Sequence, residues 1–289
     1  MGKTIYSFFP GCSLKLSNHE NTLSLLQFCD MVDIELNELN DWNCCGSSSA
    51  HSINHDIAMQ LPFRNLSLVP QGLPLLIACP SCLIRLKQSY LKLKNDPDLQ
   101  KKYEQNWGRP FDPSLEIIHF FELFKRIRLR DHINDPRAKL KGIKVAPYYG
   151  CMLSMPPDLR KEPSYYGLME DALSRLGAEM ISFGYETMCC GTYLSVAKPK
   201  LSEKVVTQIF SRAMDAGAEC LVTACAMCHL NLEIRCALKN PIPTFHFSEL
   251  LSMALGAKDQ RKWFPKHIVD PIPLLKKRDL LKTRSKNNN

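Results

Sequence analysis

Leu75-Leu76-Ile77-Ala78-Cys79-Pro80-Ser81-Cys82 and Leu221-Val222-Thr223-Ala224-Cys225-Ala226-Met227-Cys228 decide how this chain folds. Each is a short, largely apolar run that ends in a Cys-x-x-Cys pair. Such runs, bounded by turn residues, suit a parallel strand covered on both faces. Pro80 fits the first turn of a helix, where its missing N–H is not needed. Each stretch therefore reads as a strand whose carboxyl end delivers thiols to the start of a helix.

Working outward from these two stretches, the rest of the chain duplicates. The first half has Pro10-Gly11-Cys12, then Cys44-Cys45-Gly46, then the first Cys-x-x-Cys; the second has Tyr149-Gly150-Cys151, then Cys189-Cys190-Gly191, then the second. The residues between the first Cys and the adjacent pair number 31 and 37, and those between the pair and the Cys-x-x-Cys number 33 and 34. Ten of the thirteen cysteines lie on this grid, which makes the chain a tandem repeat. Strand-like runs precede each first Cys, at 3–9 and 144–149. Amphipathic helical stretches are expected at Asn21–Val32 and Tyr165–Leu176, and again at Ile57–Val69 and Leu201–Ala216. Each half closes on a similar segment, Ile117–Leu123 and Thr244–Leu250.

Alternation of strand and helix predicts a parallel sheet in each half and an open α/β domain. Ligands of such sheets gather beyond the carboxyl ends of the strands, where the first Cys and the Cys-x-x-Cys of each half fall. The expected domains are 1–135 and 136–289, joined by a polar linker at Arg130–Gly142. A basic tail from Lys276-Lys277-Arg278 onward is expected to lie outside the packed domain.

Composition narrows the class. The 289 residues are 45% hydrophobic and 23% charged, the proportions of a soluble globular protein. No run of eighteen uncharged apolar residues predicts a membrane span, and no secretory leader is legible at the start, so the expected location is cytoplasmic. The formal net charge is +8, part of it in the tail; a solvated surface is the ordinary reading, and docking of an acidic partner the alternative. No nucleic-acid module and no Gly-x-Gly-x-x-Gly or Walker sequence accompanies the charge. In a reducing compartment, clustered cysteines point to metal or redox chemistry rather than disulfides.

Five cysteines per half are one more than structural zinc or an ordinary cubane cluster requires. Adjacent side chains such as those of Cys44 and Cys45 diverge, which suits a multi-iron object gripped at different atoms. Gly46 and Gly191 let the backbone turn sharply beside it. The site is therefore expected to hold an unusual iron–sulfur cluster; four ligands plus one redox-active or spare thiol is the other version.

The duplicated Cys…Cys-Cys-Gly…Cys-x-x-Cys pattern resembles the cysteine-rich CCG domain, and residues 1–257 resemble the B subunit of heterodisulfide reductases. Ala78–Cys82 and Thr223–Asn231 carry the likeness most specifically. The resemblance implies two pseudo-repeated, Rossmann-like open-sheet CCG domains facing each other. Each would hold one non-cubane [4Fe–4S] cluster, the first on Cys12, Cys44, Cys45, Cys79 and Cys82, the second on Cys151, Cys189, Cys190, Cys225 and Cys228. A substrate disulfide, thiol or persulfide would react between them, matching a two-electron cleavage to two one-electron groups. Implied partners are a ferredoxin-like C subunit and a flavin-containing A subunit, since the chain has no ferredoxin run and no flavin site of its own. The family's methanogenic and sulfur-oxidising branches both remain open. Ser154-Met155-Pro156-Pro157 lacks a basic residue common in related subunits and leans toward the second. A different class, the CCG electron-transfer or docking subunit of an organic-acid oxidation complex, is the alternative.

His229, next to the second Cys-x-x-Cys, is the candidate proton carrier to a leaving thiolate, against a helix-start histidine bonded to backbone. His119 and His246 occupy equivalent positions and read as structural. Lys15 and His19 are candidates to line a cleft. Cys29, Cys220 and Cys236, off the grid, read as structural thiols, and Trp42, Trp107 and Trp263 as core or interface residues.

Overall fold

The computed structural model describes residues 2–47, 50–127, 139–153, 165–257 and 260–281. The first half runs β1 (Thr4–Phe9), α1 (His19–Met31), β2 (Ile34–Glu38), α2 (Ala50–Ile53), α3 (His55–Ser67), β3 (Leu75–Ile77), α4 (Pro80–Asn95), α5 (Pro97–Trp107), β4 (Ile117–His119) and α6 (Phe120–Arg126). The second runs β5 (Lys144–Tyr148), α7 (Gly150–Leu153), α8 (Leu168–Arg175), β6 (Glu179–Met180), α9 (Pro199–Asp215), β7 (Cys220–Thr223), α10 (Ala226–Arg235), β8 (Thr244–His246), α11 (Phe247–Ala254) and α12 (Ile272–Lys277).

Each half forms a four-stranded parallel sheet, ordered β2-β1-β3-β4 and β6-β5-β7-β8. The duplication legible in the cysteines thus extends to topology. The central strands are sequestered on both faces: Leu75, Leu76 and Ile77 are fully buried, as are Cys220, Leu221 and Val222. Burial of each such aliphatic side chain is worth about 1.5–3 kcal/mol, so three-residue strands suffice where every residue is covered. The edge strands β2 and β6 leave little trace in the sequence. Ile34-Glu35-Leu36 alternates apolar and charged residues, and β6 pairs through only Glu179 and Met180, a signal too short to read.

His119 and His246 cap α6 and α11. Each forms a capping box with the glutamate three residues on, Glu122 and Glu249, which satisfies amides that the helix start leaves open. These two helices carry the join between the halves. Phe121 and Phe124 of α6 meet Phe247 of α11 at 4.9 and 5.1 Å between ring centroids, and Phe120 stands edge-on to the same ring at 6.3 Å. Polar contacts continue the join: Ser24 and Ser248 hydroxyls are 2.6 Å apart, and Ser252 donates to the Ser24 carbonyl at 2.8 Å. One hydrophobic core consequently draws residues from both halves.

The boundary expected at 135/136 lies outside the described residues, as do most of the linker and the Ser154–Pro157 segment. The expectation for the tail needs correction at its start. Lys276 and Lys277 close α12, whose Leu275 is fully buried, and Arg278 and Lys277 pair with Glu219 at 2.5 and 3.5 Å. An apolar anchor and a fixed carboxylate hold this basic stretch against the body; residues 282–289 lie outside the described residues.

Candidate metal centre

In each half, the turns after the first and third strands in sequence bring three distant segments to one rim. Cys12 and Cys151 follow β1 and β5, while Cys79 and Cys225 are the N-cap residues of α4 and α10. The thiols converge closely. Cys12 and Cys44 sulfurs are 3.8 Å apart, Cys45 and Cys82 3.2 Å, and Cys190 and Cys228 3.4 Å. All the cysteines are free thiols. Burial follows the same scheme twice: the second Cys of the pair and both members of the Cys-x-x-Cys are buried, whereas Cys12, Cys44, Cys151 and Cys189 reach solvent. Each rim is therefore closed on the protein side and open on the other.

Glycine is required where the backbone passes closest. Gly46 and Gly191, at φ of 75° and 74°, turn their N–H groups onto the Cys44 and Cys189 sulfurs at 3.5 and 3.4 Å. Gly11 (φ 72°) and Gly150 (φ 65°) are tighter still. A Cβ at Gly11 would stand 2.8 Å from the Cys82 sulfur, and one at Gly150 3.2 Å from that of Cys228. Both glycines sit in the repeat motif, but their closeness to a sulfur of the Cys-x-x-Cys arises from packing and leaves no local mark.

The electrostatics favour thiolates at particular positions. Hydrogen bonds from the Cys12 and Cys45 thiols, with the Gly46 amide, hold Cys44 down at about 2 against the cost of burial. The Cys151 thiol and the Gly191 amide lower Cys189 to about 6, and the Cys228 thiol and Thr192 lower Cys190 to about 7. Cys79 is lowered by the Cys225 and Cys82 thiols and by the first amides of α4, as befits a sulfur at a helix N-terminus. The thiols that donate, Cys12, Cys45, Cys82, Cys151, Cys225 and Cys228, are pushed up by those same contacts and by burial. The Cys79 and Cys225 thiols interact across the join, which brings the two rims together.

Supporting residues surround the second rim. Asn231 of α10 donates to the Cys190 carbonyl at 2.8 Å, and Thr192 to the Met227 carbonyl at 3.2 Å. The Glu186 carboxylate accepts from the amides of Phe183 and Gly184, and its carbonyl accepts from Tyr149 and Gly150, which shapes both approaches to the rim. Sequence reading missed Glu186, which lies in no repeated motif.

His229 is 1% exposed, and its ring turns toward the join. Nδ1 meets the Asn21 side-chain amide at 3.0–3.1 Å and Nε2 the Thr244 carbonyl at 3.1 Å, while burial lowers its pKa to about 4. The expected proton-carrying role finds no hydrogen-bond route to a thiol among the described residues. Lys15 is held by Glu38 at 2.8 Å, and His19 opens α1 at the surface. Cys29 and Cys220 are buried; Cys236 is half-exposed. Trp263 lies in the core, Trp42 packs edge-on against Phe9 at 5.4 Å, and Trp107 lies against the same core.

Two open parallel sheets, each with a five-cysteine rim at the carboxyl ends of its strands, define a duplicated cysteine-rich α/β protein. Comparison with known families gives the same answer: the chain belongs to the cysteine-rich CCG domain family, which matches at residues 6–87 and 145–233, together more than half of it. The 8-methylmenaquinol:fumarate reductase membrane anchor subunit of Wolinella succinogenes is 26% identical over 93% of this chain and 98% of that protein. The B subunit of the ferredoxin/F420H2-dependent CoB-CoM heterodisulfide reductase of Methanosarcina acetivorans is 25% identical over 94% and 96%. A solved structure of a hypothetical protein from Helicobacter pylori superposes with a TM-score of 0.68 at 14% identity, over 92% of this chain. The chain spans about half (52%) of that protein, and the likeness concerns the fold alone. Among the described residues, no helix is long and apolar enough to cross a membrane.

Proposed function

We propose that this chain is the iron–sulfur component of a multisubunit reductase, holding a non-cubane [4Fe–4S] cluster in each half and acting on a sulfur–sulfur bond between them. The observation that supports this most is the interaction of Cys79 with Cys225 across the join, because it brings two equivalent thiol rims together. Cys12, Cys44, Cys45, Cys79 and Cys82 would hold one cluster, and Cys151, Cys189, Cys190, Cys225 and Cys228 the other. The donor set fits: sulfurs 3.2–3.8 Å apart, thiolates favoured at Cys44, Cys79, Cys189 and Cys190, and glycines that leave the sulfurs room. Bound there, a cluster supplies one-electron transfer beside sulfur.

The chain's own residues do the rest. Buried Cys45, Cys79, Cys82 and their counterparts keep water from the inner side, while the open side at Cys12, Cys44, Cys151 and Cys189 admits a substrate. Cleaving a disulfide consumes two electrons and two protons and yields two thiols. The electrons would come from partner subunits, a ferredoxin-like C subunit and a flavin-containing A subunit, and the protons from solvent at the open rims. His229 would position α10, and hence Cys225 and Cys228, through its bonds to Asn21 and Thr244.

A second reading has its own support. The Wolinella relative, matched over 98% of its length, is named as a membrane anchor subunit of a fumarate reductase, which favours a role in electron transfer and docking without sulfur chemistry. Turnover separates the two. The cluster-loaded chain, given reduced viologen and a panel of small disulfides, should oxidise two viologens for each pair of thiols released. Full cluster content with no disulfide-dependent oxidation would leave the electron-transfer reading.

A further inference from the structure

We propose that the second half carries a divalent-cation site of nitrogen and oxygen ligands, formed by His229, Glu233 and His267 and suited to zinc, in addition to the thiol rims. His229 and Glu233 are one helical turn apart on α10 and share a face. His267 reaches them from the short turn Phe264–Lys266. The three ligand atoms lie within 4.8 Å of one another. Glu233 Oε1 is 3.2 Å from His267 Nδ1 and 3.8 Å from His229 Nε2. Ligands bound tetrahedrally at about 2.0–2.2 Å stand roughly 3.3–3.6 Å apart, so the side chains are near that spacing already.

Two of the three donors face each other without the geometry of a hydrogen bond: Glu233 Oε1 and His267 Nδ1 are buried and 3.2 Å apart, in ion-pair contact only. Their side chains are 6% and 0% exposed. Orphaned polar atoms at such depth are costly unless something joins them. The surrounding shell selects the lone pairs that would do so. Glu249 Oε1 takes the Nε2 proton of His267 at 2.9 Å, leaving Nδ1 to bind; this is the carboxylate–histidine arrangement that orients metal ligands. The Asn21 side chain, its amide oxygen at 3.1 Å, can take the Nδ1 proton of His229 and leave Nε2 to bind. The Thr244 carbonyl, 3.1 Å from that Nε2, accepts its proton in the metal-free chain and would stand beside the cation in the loaded one. Glu233 Oε2 is fixed by the Ile268 amide at 3.2 Å.

Charge points the same way. Glu233 and Glu249 are both buried, and half-buried Glu20 feels both, its carboxyl raised by burial and then by their repulsion. His267 pairs with both carboxylates, at 3.2 and 2.9 Å, but one imidazolium charge balances only one of the two, whereas a divalent ion balances both. Nor is the site part of the repeat. Four and eight residues after the first Cys of each Cys-x-x-Cys, the second half has His229 and Glu233 where the first has Leu83 and Lys87. The cation would staple α10, whose start carries Cys225 and Cys228, to the C-terminal segment and, through Asn21, to the first half.

Zinc content and zinc-edge X-ray absorption on anaerobically purified, iron-replete protein, after equilibration with zinc and desalting, test this directly. About one zinc per chain, with a shell of nitrogen and oxygen near 2.0–2.1 Å and no sulfur near 2.3 Å, is expected. His267→Asn and Glu233→Gln should each weaken zinc retention at least tenfold while iron per chain stays unchanged. No zinc in the wild-type protein, a sulfur shell, or full retention by a folded His267→Asn protein would overturn the proposal. The wild-type spectrum decides even if a variant fails to fold.

Discussion

The Cys79 and Cys225 thiols, from equivalent positions in the two halves, interact across the join, each at the N-cap of the helix that carries its Cys-x-x-Cys. The contact couples the two rims, so a change at one should be felt at the other. Cys79→Ser and Cys225→Ser should each lower iron per chain by about half, assuming four irons per cluster. Each should also shift the paramagnetic signal of the cluster in the unaltered half. Iron analysis with EPR of both variants checks this; a signal of the untouched half identical to wild type would show that the contact carries no coupling.

The glycines before Cys12 and Cys151 give a graded prediction. Alanine at positive φ costs about 1–2 kcal/mol at either position. Gly11→Ala also drives a methyl to 2.8 Å from the Cys82 sulfur, against 3.2 Å from Cys228 for Gly150→Ala. Gly11→Ala should therefore lose more iron from its half than Gly150→Ala loses from the other. Equal iron content in the two variants would contradict this ranking.

Acid should loosen the approach to the second rim before it unfolds the molecule. Burial would raise the Glu186 carboxyl, but the amides of Phe183 and Gly184 and the Ser182 hydroxyl outweigh it and hold the group below its ordinary 4.5. A depressed carboxylate stabilises in full above the unfolded value and loses that contribution as pH falls through the folded one. Glu186→Gln should cost about 1–2 kcal/mol at neutral pH and flatten the stability profile below pH 4.5. Denaturant titrations across that range check both.

At the join, Asn21→Ala should cost about 1–3 kcal/mol by leaving a nitrogen of buried His229 unpaired. Ser24→Ala, which removes a neutral hydroxyl bonded to Ser248 and to the Asn21 carbonyl, should cost about 0.5–1.5 kcal/mol. Thermal melts of the two variants should show the larger fall for Asn21→Ala.

Much of this architecture was legible in the residues. The apolar runs before Cys79 and Cys225 located the central strands, and the repeated spacing located both rims, because continuous burial and clustered thiols leave local signatures. Edge strand β6 escaped because two residues carry no period. His229 lies beside Cys228 in sequence, yet α10 turns its ring toward Asn21, more than two hundred residues away. Glu186 and His267 escaped for a similar reason. Their significance lies in partners brought by tertiary packing, and nothing in their own neighbourhoods announces it. The packed start of the basic tail depended on Glu219, again remote in sequence.

Iron and acid-labile sulfide per chain on anaerobically purified protein, with EPR before and after a thiol is added, test the central claim most directly. The account predicts about eight irons and a matching quantity of sulfide, with a paramagnetic signal that changes when thiol is present. Zinc at the cysteines with no sulfide, or clusters whose signal ignores every thiol and disulfide offered, would contradict it.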